Sequence, residues 1–285
     1  MVKLLTQVTH PLGDAEQYAY DARGNVTSLT KVPVPGSGLS NIVVSANYDL
    51  SCTNPAKCNK PNNTVDARNN ATTYTYNPTT GQVLTITKPA PTSGAVQPVI
   101  TNTYSQQFAY YFTAPGSLTQ GPSSISLLAS SSMCATTASC SGTSDQIVTS
   151  MAYGSAGVAN NLLPTSVTTA AGDGTLSAPT TTSYDTVGNK AIVTAPLGSN
   201  YATMYLYDAD LEQIGVIGPV PGPSEPGLPN PATRTTYNTD GLVTLIEKGT
   251  VTAQTSAAFA NFSSLEQTAT AYDGLDRKTA VSQTA

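Results

Sequence analysis

The stretch Tyr18-Ala19-Tyr20-Asp21-Ala22-Arg23-Gly24-Asn25-Val26-Thr27-Ser28-Leu29 (18–29) decides how the chain is read. It places an aspartate directly after Tyr20, a glycine after two free residues, and Leu29 nine places after the tyrosine. An Asx side chain accepts a backbone N–H two residues on, and glycine supplies the positive φ that closes a turn, so the spacing predicts strand, turn, strand. A four-residue loop from Asp21 to Gly24 pairs the tyrosine, position i, with i+5. It also pairs Leu29 with i−4, on the tyrosine's own face of the sheet.

The same pattern recurs along the chain. Tyr184-Asp185-Thr186-Val187-Gly188 leads to Val193, and Tyr237-Asn238-Thr239-Asp240-Gly241 leads to Ile246. Tyr76-Asn77-Pro78-Thr79-Thr80-Gly81 carries one extra turn residue and reaches Ile86. Tyr207-Asp208 leads to Val216 and Tyr272-Asp273 to Val281, with Leu211 and Asp276 in the glycine position. Tyr153-Gly154-Ser155-Ala156-Gly157, leading to Leu162, is a weaker seventh copy. The tyrosines and aliphatic residues are expected to share one core. Tyr18, Tyr74 and Tyr205 add a second ring two residues upstream, and Thr73 and Thr75 point to a solvated face. An isolated hairpin is marginal in water, so the copies must pair side by side. The expectation is an all-β array of antiparallel hairpins forming one curled or spiralling sheet over residues 1–285. Insertions are expected at about 31–65, 88–150, 218–233 and 249–268.

Composition agrees with a strand-and-turn chain. Of 285 residues, 22 are Gly, 20 Pro and 44 Thr, and only 10% are charged, against roughly 25% in ordinary domains. With 12 Lys+Arg against 17 Asp+Glu and no basic cluster, counterion release has nothing to act through, which excludes nucleic acid as a main partner. No apolar run is long enough to span a membrane, and the first residues lack a secretory signal. The single histidine, His10, precedes Pro11 and reads as a turn residue; one imidazole permits no multi-histidine metal site and at most one Ser-His-Asp triad. No catalytic, cofactor or metal constellation is visible.

Tyr-Asp-Ala-Arg-Gly-Asn-Val (20–26), Asp-Ala-Arg-Asn-Asn-Ala-Thr-Thr-Tyr-Thr-Tyr-Asn (66–77) and Thr-Ser-Tyr-Asp-Thr-Val-Gly-Asn (182–189) resemble the YD repeats of Rhs-type proteins. His10-Pro11-Leu12-Gly13 and Ala195-Pro196-Leu197-Gly198 resemble the Asp-Pro-Leu-Gly link between such repeats. The resemblance implies a spiralling sheet that forms a hollow shell in bacterial Rhs and Tc-toxin proteins and in animal teneurins; in the bacterial members the shell encloses a toxic C-terminal segment. Neither the autoproteolysis core, Pro-x-x-x-x-Asp-Pro-x-Gly, nor a toxin domain follows Tyr272, so cleavage and toxicity are not implied here. Both ends look like cut sheet, the mark of a window from a longer protein or of copies joined edge to edge.

Cys52 and Cys58 enclose five residues, as do Cys134 and Cys140. Even count and matched spacing read as two short disulfide loops in an oxidising compartment, with a four-cysteine zinc site as the alternative. Pro33–Gly38 and Pro219–Pro229 are spacers. Phe108-Ala109-Tyr110-Tyr111-Phe112 reads as aromatic packing under an insertion, or alternatively as a platform for carbohydrate. Asp208, Asp210 and Glu212, at every second residue, read as a solvated strand edge, or alternatively as a calcium site. Asn25, Asn62, Asn70 and Asn261 head glycosylation-type triplets. The resulting functional expectation is a bacterial, non-enzymatic structural protein without cofactor, the wall of an extracellular or cell-surface Rhs-type shell. A self-assembling extracellular filament subunit is the alternative, and an adhesion module a second one. The expected partners are flanking repeats or copies of the chain, with surface glycan as a further candidate.

Overall fold

The computed structural model describes residues 4–222 and 227–285. Residues 223–226 of the second proline spacer and 1–3 of the N-terminus lie outside the described residues. Among the described residues nineteen strands follow in order: β1 (Gln7–Thr9), β2 (Ala15–Tyr20), β3 (Val26–Val32), β4 (Ile42–Asn47), β5 (Asn63–Val65), β6 (Ala71–Tyr76), β7 (Val83–Thr87), β8 (Val99–Ala114) and β9 (Ser117–Cys134). They continue with β10 (Gln146–Tyr153), β11 (Pro164–Ala171), β12 (Ser177–Tyr184), β13 (Lys190–Thr194), β14 (Ala202–Tyr207), β15 (Gln213–Ile217), β16 (Asn230–Tyr237), β17 (Val243–Val251), β18 (Ser263–Tyr272) and β19 (Lys278–Thr284). All belong to one antiparallel sheet. The registers pair strands that are neighbours in the chain: β1 through β8 in order, β9 with β10, and β12 through β19 in order.

The stretches between repeat copies are therefore strands themselves. β4, β5 and β8 are rich in Val, Ile, Thr and Tyr, which fit a pleated surface, whereas β9 is dominated by serine. Along β6, Tyr74 and Tyr76 are half-buried while Thr73 and Thr75 are exposed, the alternation expected of a sheet with two unequal faces.

The expected hairpin register is corrected by one residue at the tyrosine and by two beyond the bulge. Tyr20 pairs with Val26, not with i+5, and Leu29 pairs with Tyr18, not with i−4. The i+6 pairing and a bulge recur in the hairpins of Tyr184, Tyr207, Tyr237 and Tyr272, and the six-residue loop after Tyr76 shifts it to i+7. The cause is the loop, which is five residues long: the Asp21 N–H donates to the Asn25 carbonyl at 2.9 Å, so Asn25 belongs to the turn. The extra residue emerges as a bulge and restores the tyrosine and aliphatic residues to a common face.

The chain divides into two compact units. The first comprises the residues up to Gln106 with Ser126–Ser150 and Ala170–Leu176; the second comprises Gln107–Ile125, Met151–Thr169 and Ser177–Ala285. In the first unit, β2 to β7 form a sheet whose tyrosine face is half-buried, and buried apolar residues are few: Ala15, Cys58 and Cys140. In the second, Ile217, Ala232, Val251 and Phe259 form a buried core with Met204, Leu206, Ala258 and Phe262 packed on it.

That core lies on the face opposite the tyrosines, which corrects the expected one. Ile217 pairs with Met204 and Ala232, whereas Tyr205 pairs with Val216, and Val216 with Thr233. Directly paired residues share a face, so the two sets alternate to opposite sides. The core is capped by the β17–β18 connection, which contains helix α1 (Ser256–Phe259). Thr255 caps the helix by accepting the Ala258 N–H at 3.1 Å. Phe259 lies on Gly215, where any Cβ would sit 2.5 Å from the ring. Gln254 ties the connection down, its Nε2 donating to the carbonyls of Ala202, Ile217 and Gly218 at 2.5, 3.2 and 2.9 Å. None of the expected repeat-core residues, Tyr20 and Leu29 through Tyr272 and Val281, is fully buried; Ile246 is 38% and Val281 60% exposed.

Candidate functional site

The recurring chemical unit is the turn. In each, one Asx side chain accepts two backbone N–H groups. Asp21 Oδ1 takes those of Arg23 (2.8 Å) and Asn25 (2.9 Å), and its Oδ2 takes Asn25 Nδ2 (2.8 Å). Asp185 repeats this with Val187 and Asn189, and Asp273 with Leu275 and Arg277. Asp208 caps Asp210 and Glu212, Asn238 caps Asp240 and Leu242, and Asn77 caps Thr79 and Thr80. The glycine position has positive φ throughout: Gly24 at 84°, Gly188 at 96°, Gly241 at 74°, and also Leu211 at 66° and Asp276 at 60°.

A seventh such turn lies in the stretch 66–77 that resembles a YD repeat, but it is not among the tyrosine-led copies. Asp66 accepts the N–H groups of Arg68 and Asn70 and the Asn70 side-chain amide, and Asn69 takes the left-handed position at φ 64°. Val65 stands where the other copies have tyrosine, so a search keyed on tyrosine passes over it; an Asp followed four residues on by Asn is the usable signal. Conversely, Tyr153 and Leu162 do not form a hairpin of this kind. Gly154 offers no side chain to cap a turn, and Leu162 falls in a connection that ends only at Pro164.

That connection is held by Asn161, which is 2% exposed. Its Oδ1 accepts the Tyr110 N–H at 2.9 Å and its Nδ2 donates to the Phe108 carbonyl at 2.9 Å. The side chain thus occupies the hydrogen-bonding edge of β8 as an added strand residue would.

The tyrosines add links between strands. Tyr20 donates its hydroxyl to the Leu5 carbonyl (2.6 Å), Tyr76 to Pro61 (2.8 Å), Tyr184 to Pro164 (2.8 Å), Tyr237 to Gln213 (3.1 Å) and Tyr272 to Val243 (3.0 Å). Each acceptor lies at or just before the start of the preceding strand. Burial pushes the Tyr76, Tyr207 and Tyr237 hydroxyls up from the ordinary phenol value, keeping them protonated.

Charge follows the same geometry. The Asn70 side-chain amide and then the backbone N–H groups hold Asp66 below the ordinary carboxylate value, and Arg277 does so for Asp273. At Asp21 and Asp185 burial pushes the other way, but the amides of Asn25 and Asn189 outweigh it. Glu212 is raised instead, by burial and then by Asp208 and Asp210. On the core face, Arg234 and Glu247 are paired across β16 and β17, with contacts of 2.5 and 2.9 Å. Arg234 also stacks 4.8 Å from the Phe262 ring. Glu247 is 3% exposed, and the Arg234 guanidinium holds its carboxyl below the usual value.

The three acidic residues are turn members and do not stand along a strand edge: Asp208 starts a turn whose fifth residue is Glu212. Among the described residues one group of metal-type ligands lies close together, Cys134, Cys140 and Asp145. Both sulfurs are committed to a disulfide, and the Asp145 carboxylate accepts from Thr136 and Thr137. Cys52 and Cys58 form a second disulfide, which leaves no free thiolate for zinc. His10 sits in a turn closed by the Gly13 N–H to its carbonyl. Phe108, Tyr111 and Phe112 are 41%, 47% and 54% exposed. Phe112 borders a groove of about 380 Å³ with Val158, Thr165 and Tyr184. No helix among the described residues is long and apolar enough to cross a membrane.

Comparison with known proteins agrees with this reading at two levels. Residues 3–32 match the model of the RHS Repeat family. The fold is similar to the crystal structures of TcdB2-TccC3-TEV and TcdB2-TccC3-Cdc42, with TM-scores of 0.59 and 0.58 at 14% and 15% sequence identity. Those matches cover 94% and 93% of this chain and 12% of each of the other chains. No curated protein matches by sequence. Residues 3–32 are thus similar to an RHS repeat, and the hairpins of the chain form a sheet like that of the TcdB2-TccC3 structures.

Proposed function

We propose that this chain is a segment of the wall of an extracellular or secreted Rhs-type shell and performs no chemistry of its own. The observation that carries the reading is the uniform construction. Seven Asx-capped turns join strands that pair in chain order, and the fold is similar over nearly its whole length to about an eighth of a much larger chain. In this reading the sheet curls around a cargo space, and flanking repeats continue it at its edges. The test is electron microscopy of the native material with intact mass from the same preparation. A closed particle whose mass far exceeds the 29.3 kDa of this sequence supports the wall; a mass near that value in ordered fibres replaces it by the filament.

The exposed aromatics of β8 favour a second reading, adhesion to surface glycan. It requires saturable binding on a glycan array that is lost when residues 108–112 are deleted, and a blank array removes it.

A further inference from the structure

The connection between β4 and β5, residues 48–62, touches two repeat turns at once, all within the first compact unit. Toward the first turn, Arg23 Nη2 donates to the Asp49 carbonyl at 2.5 Å and Nη1 to the Leu50 carbonyl at 3.3 Å. Toward the turn after β6, Asn54 Nδ2 donates to the Pro78 carbonyl at 2.9 Å, Lys60 Nζ donates to the Gly81 carbonyl, and Tyr76 donates to the Pro61 carbonyl at 2.8 Å. The Ala56 carbonyl presses so closely on Gly81 that no side chain fits there. Lys60 also lies over the Tyr76 ring, 5.8 Å from its centre.

This connection has no regular strand or helix of its own over residues 48–62. Its shape is held by Lys57 and Asn62 on the Asp49 carboxylate, at 3.1 and 2.9 Å, by the Asn54 cap on Ala56, and by the Cys52–Cys58 bond. The two disulfides differ in access. Cys58 and Cys140 are equally buried, each 5% exposed, and the difference lies in their partners: Cys52 is exposed, whereas Cys134 is half-buried. Exposed disulfides are the ones that thiols reach.

We propose that the Cys52–Cys58 loop is a thiol-sensitive clamp. Oxidised, it fastens the turns at 21–25 and 77–82 to one connection; reduced, it releases both, while the Cys134–Cys140 bond persists. A reductant thiolate attacks Cys52 Sγ, forming a mixed disulfide and breaking the Sγ–Sγ bond, and Cys58 leaves with the electron pair as thiolate. A second thiol of the reductant then closes on the mixed disulfide, freeing Cys52 and leaving the reductant oxidised. Each cysteine thiolate takes up one proton. The released Cys58 thiol has an acceptor in place, the Asn54 carbonyl oxygen 3.0 Å from its sulfur.

The experiment titrates the intact chain with dithiothreitol, identifies reduced cysteines by alkylation and mass spectrometry, and follows amide hydrogen exchange in parallel. Cys52 and Cys58 are expected to become alkylated first. At that point the amides of Arg23, Asn25 and Gly81 exchange about tenfold faster, while Val187 and Gly188, in a turn that Asn160 contacts instead at the Thr186 carbonyl, are unchanged. The double variant Cys52→Ser/Cys58→Ser has the fast rates without reductant and does not respond to it, whereas Cys134→Ser/Cys140→Ser retains the slow rates. Reduction of both bonds together, resistance of both, or unchanged turn amides in the Cys52→Ser/Cys58→Ser chain would overturn the clamp.

Discussion

Leu211 occupies a position that the other turns give to glycine, asparagine or aspartate, with φ at 66° and its side chain 54% exposed. A branched aliphatic residue gains nothing there and carries left-handed strain of roughly 1–2 kcal/mol, partly offset because glycine has more freedom to lose on folding. Leu211→Gly is therefore expected to raise stability by about 1 kcal/mol, read from the midpoint of urea unfolding. The reverse change at Gly188, to leucine, lowers it by a similar amount. The capping carboxylates set a pH dependence whose sign follows from their shifts. Asp66, Asp273 and Glu247 have folded values below their unfolded ones of 3.8, 3.8 and 4.5, so the stability they supply is complete above those values and is lost as pH falls through the folded ones. Glu212 has the opposite sign, since its raised value makes the ionised form a burden at neutral pH. Thermal unfolding followed downward in pH should show falling stability that Asp66→Asn makes less steep, and Glu212→Gln should raise the melting temperature at neutral pH. A flat profile through the carboxylate range would contradict both.

At the scale of elements, the turns were legible and the core was not. Tyr, Asx and Gly at fixed spacing encode a local geometry that a few consecutive residues determine alone, which is why the hairpins at Tyr20, Tyr184, Tyr207, Tyr237 and Tyr272 stand where the pattern puts them. Their register escaped because Asn25 and its equivalents fit either the loop or the strand, and only the closing hydrogen bond decides. The covered face escaped because it depends on residues 252–262, a connection with no periodic signal, folding onto β14 to β17 through Phe259 and Gln254. Asn161 was invisible for the same reason: its partners on β8 lie some fifty residues away in sequence. Phe259→Ala is expected to cost about 3 kcal/mol by emptying the core above Gly215, and Asn161→Ala about 2 kcal/mol by stranding two backbone groups of β8. Glu247→Gln removes the buried member of a pair and leaves Arg234, whose side chain is 39% exposed, so it should cost only about 1 kcal/mol. Chemical denaturation of each variant checks these, and losses confined to a few tenths would show that the connections only rest on the sheet.

Over the whole molecule, the strands that define the registers pair with their immediate neighbours in sequence, and each unit holds several complete hairpins. In an array of that kind stability is a sum over adjacent pairs. Removal of residues 263–285 is thus expected to leave hydrogen-exchange protection in β2 to β7 unchanged while β17, which loses its partner β18, loses protection; a loss in β2 to β7 would show longer-range dependence. The order of pairing also bears on how such a chain comes into being. A strand that needs only the one before it can fold as soon as it appears, without waiting for a distant partner, so the loop closed at each step is short and the search is brief. Synthesis or passage through a membrane pore delivers a polypeptide end first, and this sheet can be laid down in that order, hairpin by hairpin, with never more than one unpaired edge advancing.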